Sequence, residues 1–140
     1  MEDLTEIYND LIMEHSTNSY NKRKLENATA CKMGHNPNCG DEIKLEIKIN
    51  GDVIEDLAFT GHGCAISQAS TSIMIDTLRG KTIKEAKAIV KTFIEMIKRE
   101  TTSEAELKKL EDAIALKNIS NMPARVKCAL LAWRTIEEMI

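Results

Sequence analysis

The feature that most constrains this chain is a one-sided alternation in its middle third. Ile43, Leu45, Ile47 and Ile49 alternate with Lys44, Glu46 and Lys48. Successive side chains of a strand point to opposite faces, so this segment is a strand with one buried and one wet face. Asn50-Gly51-Asp52 reads as a turn, and Val53, Leu57 and Phe59 continue a second strand on odd positions. Burial decides register, since a one-residue slip would expose the whole apolar set. A two-residue Asn-Gly loop would set Leu45 against Asp56. A three-residue loop pairs Ile49 with Val53, Leu45 with Leu57 and Ile43 with Phe59, and is preferred despite the strong Asn-Gly signal.

Around this hairpin the period is helical. Leu4, Ile7, Tyr8 and Leu11 predict a short helix over 3–14, followed by a polar loop over 15–25 and a weakly marked strand near 27–33. After Gly61-His62-Gly63, the residues Ile66, Ala69, Ile73 and Thr77 share one helical face up to Gly80. Thr82 with Glu85, and Ser103 with Glu106, have capping-box spacing ahead of apolar helical runs. Pro123 sits where a first-turn proline is tolerated, and Val126, Ala129, Leu130, Trp133 and Ile136 mark a last helix. Strands first and helices after is the order of an α+β domain. Residues 1–140 read as one domain, without repeat or linker.

A domain of this length buries roughly 68–70% of its unfolded surface, so a metal is not needed merely to hold it together. A net charge of −3, with acids and bases mixed along the chain, argues against general nucleic-acid binding. No apolar run of membrane-spanning length is present, and Met1-Glu2-Asp3-Leu4 lacks the features of a signal peptide. The expected location is cytoplasmic. Four cysteines in such a compartment favour metal or thiol chemistry over disulfides.

Three segments carry that chemistry. They are Gly34-His35-Asn36-Pro37-Asn38-Cys39-Gly40-Asp41, Gly61-His62-Gly63-Cys64-Ala65-Ile66-Ser67 and Arg125-Val126-Lys127-Cys128. Gly40 leaves room for Cys39 and Asp41 to turn toward one atom. Cys64 opens a helix, where peptide dipoles favour a thiolate. Three thiolates and a carboxylate suit tetrahedral zinc and leave a net charge of −2. Arg125 shares the helical face of Cys128 and can offset part of that charge. Lys127 can do so only if its stem reaches round the helix. The bland alternative is core packing, because free cysteine is among the most buried residue types and no C-x-x-C pair is present. His62 and His35 are rival ligands and Cys31 is a further one, though packing in a strand is the expected role for Cys31. The methionines read as gap filling, and His15 has no distinctive context.

The runs Asn36 to Asp41 (N-P-x-C-G-D), Gly61 to Ser70 (G-x-G-C-A-I-S-x-A-S) and Arg125 to Trp133 (R-V-K-C-A-L-L-A-W) together resemble the U-type iron–sulfur cluster assembly proteins: IscU, SufU and the N-terminal domain of NifU. The resemblance runs in order over essentially the whole chain. It is nearest to the SufU branch. Lys127 stands where IscU-type proteins carry a histidine, and residues near 99–120 look like the SufU insertion.

The resemblance implies a three-stranded antiparallel sheet packed on helices, with a metal site at one exposed end. It implies zinc held by Cys39, Asp41, Cys64 and Cys128, and sulfur taken from a SufS-type, pyridoxal-phosphate cysteine desulfurase. By position, Cys39 is the expected persulfide acceptor, which makes the protein sulfurtransferase-like. The alternative is a scaffold that binds iron, assembles a [2Fe–2S] cluster and passes it to apo-proteins or downstream assembly machinery. A purely structural zinc module fits least, because structural sites are usually all cysteine and histidine.

Overall fold

The computed structural model describes residues 4–17, 20–37, 40–100 and 103–140, with the backbone alone for residues 4–9. Its elements are α1 (Leu4–Thr17), β1 (Ala30–Asn36), β2 (Asp41–Asn50), β3 (Val53–His62), α2 (Ala65–Leu78), α3 (Ile83–Ile97), α4 (Glu104–Leu107), a 3₁₀ stretch (Lys108–Asn121) and α5 (Pro123–Glu137). The strands form one antiparallel sheet in the order β1-β2-β3. The fold is α+β, as the order of patterned segments predicts.

The odd-numbered residues of β2 face the helices, and Ile43, Leu45 and Ile47 are fully buried. The apolar strand residues pair with one another, but two positions from the expected register. Leu45 pairs with Phe59, Ile47 with Leu57 and Ile43 with Gly61. The turn is two residues, Gly51 and Asp52, closed by the Asn50–Val53 pair, and a bulge lies between Lys48 and Ile49. A bulge adds one residue to one strand, so it moves the partners while the apolar set stays on the core side. The first strand also begins later than expected, at Ala30.

Helices α2 and α5 cover the sheet and carry the middle of the core. Trp133 stacks on Phe93 with ring centroids 3.8 Å apart, which joins α5 to α3. The indole N–H of Trp133 donates to Ser70 Oγ (2.9 Å), and Ser70 in turn donates to the carbonyl of Ala129 (2.6 Å). This buried chain of hydrogen bonds ties α2 to α5. At the edge strand the contact is closer still. A Cβ on Gly34 would lie 2.2 Å from Thr135 Oγ1, so only glycine lets α5 lie against β1 there.

The segment before β1 runs parallel to β3, with Phe59 N–H donating to the Asn21 carbonyl (3.0 Å) and Arg23 N–H to the Phe59 carbonyl (2.9 Å). It then crosses the outer sheet face, where Leu25 is buried and its N–H donates to Glu46 Oε1 (3.2 Å). Arg79, at the end of α2, donates to Asp56 Oδ1 (2.9 Å) and to Asn21 Oδ1. Arg23 donates to the other Asp56 oxygen (2.8 Å). Burial alone would push the Asp56 carboxyl up. The two guanidinium hydrogen bonds and the Leu57 N–H outweigh it and hold the group below its ordinary value.

The second capping box differs from expectation. Thr82 and Glu85 bond reciprocally at the start of α3, but Ser103 makes no side-chain cap bond, and α4 lasts four residues. A 3₁₀ stretch with a break at Glu111 (φ 51°, ψ −127°) replaces the predicted continuous helix. Leu107 and Leu110 are still buried and Ile114 packs against the core, so the apolar spacing survives without α-helical hydrogen bonding.

Candidate metal centre

Asp41 is the first residue of β2 and Cys64 directly precedes α2, so the antiparallel pairing of β2 with β3 brings them to one end of the sheet. Cys64 is the N-cap of α2. Its Sγ accepts the N–H of Ser67 (3.4 Å), where a serine or threonine hydroxyl would ordinarily serve. The N–H of Cys64 donates to Asp41 Oδ1 (2.9 Å). In an ordinary capping box the third helical residue supplies that carboxylate. Here it comes from β2, twenty-three positions earlier, and the third residue is the small Ser67. Gly63 keeps the path open, since a Cβ there would lie 2.8 Å from Asp41 Oδ1.

Cys128 enters from the second turn of α5, 1% exposed and adjacent to the Ala129 carbonyl that Ser70 anchors. One ligand atom each from Asp41, Cys64 and Cys128 lie within 4.8 Å of one another. Asp41 is wholly buried, with one oxygen held by the Cys64 N–H. The other, Oδ2, has no hydrogen-bond partner among the described residues. A buried carboxylate oxygen without a partner is costly unless it faces a proton donor or a cation. Zinc–sulfur bonds of about 2.3 Å and zinc–oxygen bonds of about 2.0–2.2 Å set tetrahedral ligand atoms about 3.5 Å apart. Two thiols and a carboxylate with its orphaned oxygen are a donor set of the kind zinc takes.

Cys39 and its neighbour Asn38 lie outside the described residues. On either side of them, the Gly40 N–H donates to the Asn36 carbonyl (2.9 Å). Among the rival ligands, His62 is exposed and its Nε2 pairs with Glu42 at 3.4 Å. His35 is exposed on β1, its backbone opposite Glu42. Cys31 is exposed on the outer face of β1, which corrects the packing role expected for it. Cysteine burial is only a tendency. Met33 (53% exposed) and Met122 (43%) likewise fill no gap, whereas Met74 and Met96 do. Arg125, on the first turn of α5, and Lys127, directly before Cys128, are both exposed, and Lys127 lines a groove of about 410 Å³ with His35, Pro37 and Leu130.

Sequence reasoning missed Ser67 and Ser70. Both stand in the Gly61 to Ser70 run that carries the resemblance, but only their burial and hydrogen bonds give them a role. It also missed His15, whose Nδ1 lies 2.7 Å from Ser72 Oγ and which helps seat α1 on α2.

Fold and site together define a small α+β domain with a candidate Asp/Cys/Cys metal centre at one end of its sheet. The sequence profile described as the NifU-like N terminal domain matches residues 7–129, and the chain belongs to this family. It is 40% identical over 136 residues to the zinc-dependent sulfurtransferase SufU of Bacillus subtilis, covering 96% of this chain and 90% of that protein. It is 36% identical over 134 residues to the iron–sulfur cluster assembly scaffold protein IscU of Thermotoga maritima, covering 96% and 92%. Among solved structures, the putative SUF-system scaffold protein FiSufU of Fervidobacterium islandicum AW-1 superposes with a TM-score of 0.87 at 41% identity, covering 95% of this chain and 96% of that one. The chain is thus an iron–sulfur cluster assembly protein of the SufU/IscU type. No helix among the described residues is long and apolar enough to cross a membrane.

Proposed function

We propose that this protein is a zinc-dependent sulfur acceptor that takes persulfide sulfur from a cysteine desulfurase of the SufS type. The observation that carries the reading is the mixed donor set: Asp41, with one buried oxygen left over, beside Cys64 and Cys128. Cys39 completes it as the fourth ligand. Zinc bound there would hold the thiols deprotonated and fix the loop to the helices. An oxygen ligand makes the site more easily opened than an all-sulfur one, which suits a centre that must release a thiolate.

The division of labour comes from what holds each ligand. Cys64 is bound into a helix cap and Cys128 into a helix, so both are suited to stay. Cys39 lies in sequence on the loop beside Gly40 and is suited to leave. Its thiolate attacks the outer sulfur of the partner's cysteine persulfide. A new S–S bond forms at Cys39 and the partner's S–S bond breaks. The electron pair of the broken bond stays on the partner cysteine as a thiolate, and the outer sulfur keeps its own charge or proton. No net oxidation occurs. Arg125, exposed on the first turn of α5, is the nearer candidate to offset part of the ligands' negative charge, and Lys127 would join it only by reaching round the helix.

Purified protein is expected to hold about one zinc per chain and to raise the cysteine turnover of its desulfurase in the presence of reductant. An unchanged turnover would overturn this reading. It would favour the second one, a scaffold for a [2Fe–2S] cluster, to which the similarity to the Thermotoga IscU points. Lys127 supports the first reading, because a lysine side chain does not serve iron as a ligand in the way an imidazole does.

A further inference from the structure

Ser67 is 1% exposed, and its hydroxyl has no hydrogen-bond partner among the described residues. Its backbone N–H is already committed to Cys64 Sγ. The hydroxyl is not isolated from the site. A single point, where a Cβ on Gly63 would stand, lies 3.2 Å from Ser67 Oγ and 2.8 Å from Asp41 Oδ1. The two oxygens therefore line one small space beside the Gly63 backbone. Asp41 Oδ1 holds the Cys64 N–H and keeps a second lone pair. A donor and an acceptor thus face a shared gap in the very wall that carries the orphaned Oδ2.

We propose that the Ser67 hydroxyl is the positioning group for Asp41, closing onto Oδ1 when a metal is drawn to Oδ2. The inference rests on the metal-site reading above. With Oδ1 engaged by both the Cys64 N–H and the Ser67 O–H, Oδ2 would be the carboxylate oxygen left to hold a metal. The small side chain at the third position of α2 then has a reason beyond leaving room. A capping glutamate there would compete with Asp41 for the Cys64 N–H, and an alanine would leave Oδ1 half engaged. Groups that orient metal ligands typically govern metal affinity by about 10–100-fold.

The test compares Ser67→Ala with the parent chain, using zinc competition, the absorption spectrum of the cobalt(II)-loaded protein and thermal melting with and without metal. Zinc affinity should fall by about 10–100-fold. The visible cobalt bands should weaken and shift as Asp41 loses its fixed orientation. The metal-free chain should melt no lower than the parent, because the substitution removes a buried hydroxyl that has no partner among the described residues. Unchanged zinc affinity with an unchanged cobalt spectrum would overturn the proposal. So would an equal loss of melting temperature with and without metal, which would mark Ser67 as a packing residue. A parent chain that binds neither zinc nor cobalt would overturn the metal-site reading itself, and this inference with it.

Discussion

Gly63 and Ser70 set the site at the scale of single atoms. The conformation of Gly63 is open to any residue, so an alanine there meets chiefly the Asp41 carboxylate, 2.8 Å from its Oδ1. Gly63→Ala should displace that carboxylate and weaken zinc binding by about 10–100-fold, as loss of ligand orientation does, with metal-free melting little changed. Zinc competition beside differential scanning calorimetry reads both. Ser70→Ala strikes the other support. It leaves the Trp133 N–H and the Ala129 carbonyl without their buried partner, at a cost of about 1–3 kcal/mol, which urea unfolding measures. At this scale the sequence was informative where a residue is chemically distinctive. Asp41 and the cysteines stood out. Ser67 and Ser70 did not, because a serine announces nothing until its burial is known.

Elements were legible where one physical cause dominates. The capping box at Thr82 and Glu85 needs only local spacing, and it formed. Thr82→Ala should cost about 1 kcal/mol by chemical denaturation. The same spacing at Ser103 failed, because residues 108–121 pack through 3₁₀ turns under tertiary control and not by propensity. The hairpin's parity was readable from its apolar alternation, but its partners were not, because no pattern marks the bulge beside the Gly51-Asp52 turn. Asp56, on β3, links that hairpin to the preceding segment through Arg23 and Arg79. Its folded pKa lies below the unfolded value near 3.8, so its contribution is fully present above that value. The contribution is lost as pH falls through the depressed folded value. Asp56→Asn should flatten the fall in melting temperature measured below about pH 4.

For the whole molecule, the sheet end works because three distant stretches of chain meet there: the start of β2, the cap of α2 and the second turn of α5. Spacing along the sequence gives no zinc signature, since the candidate ligands are dispersed between residues 39 and 128. The three motifs together pointed to the set, while their convergence is a property of the fold. The central claim is that sulfur passes to Cys39 while Cys64 and Cys128 remain as ligands. Peptide-resolved mass spectrometry tests it most directly, on zinc-loaded protein incubated with a pyridoxal-phosphate cysteine desulfurase and cysteine. The account predicts one added sulfur atom on Cys39, none on Cys31, and the same labelling of Cys39 in the Cys31→Ser variant. Added sulfur chiefly on Cys64 or Cys128, with Cys39 unmodified, would contradict it.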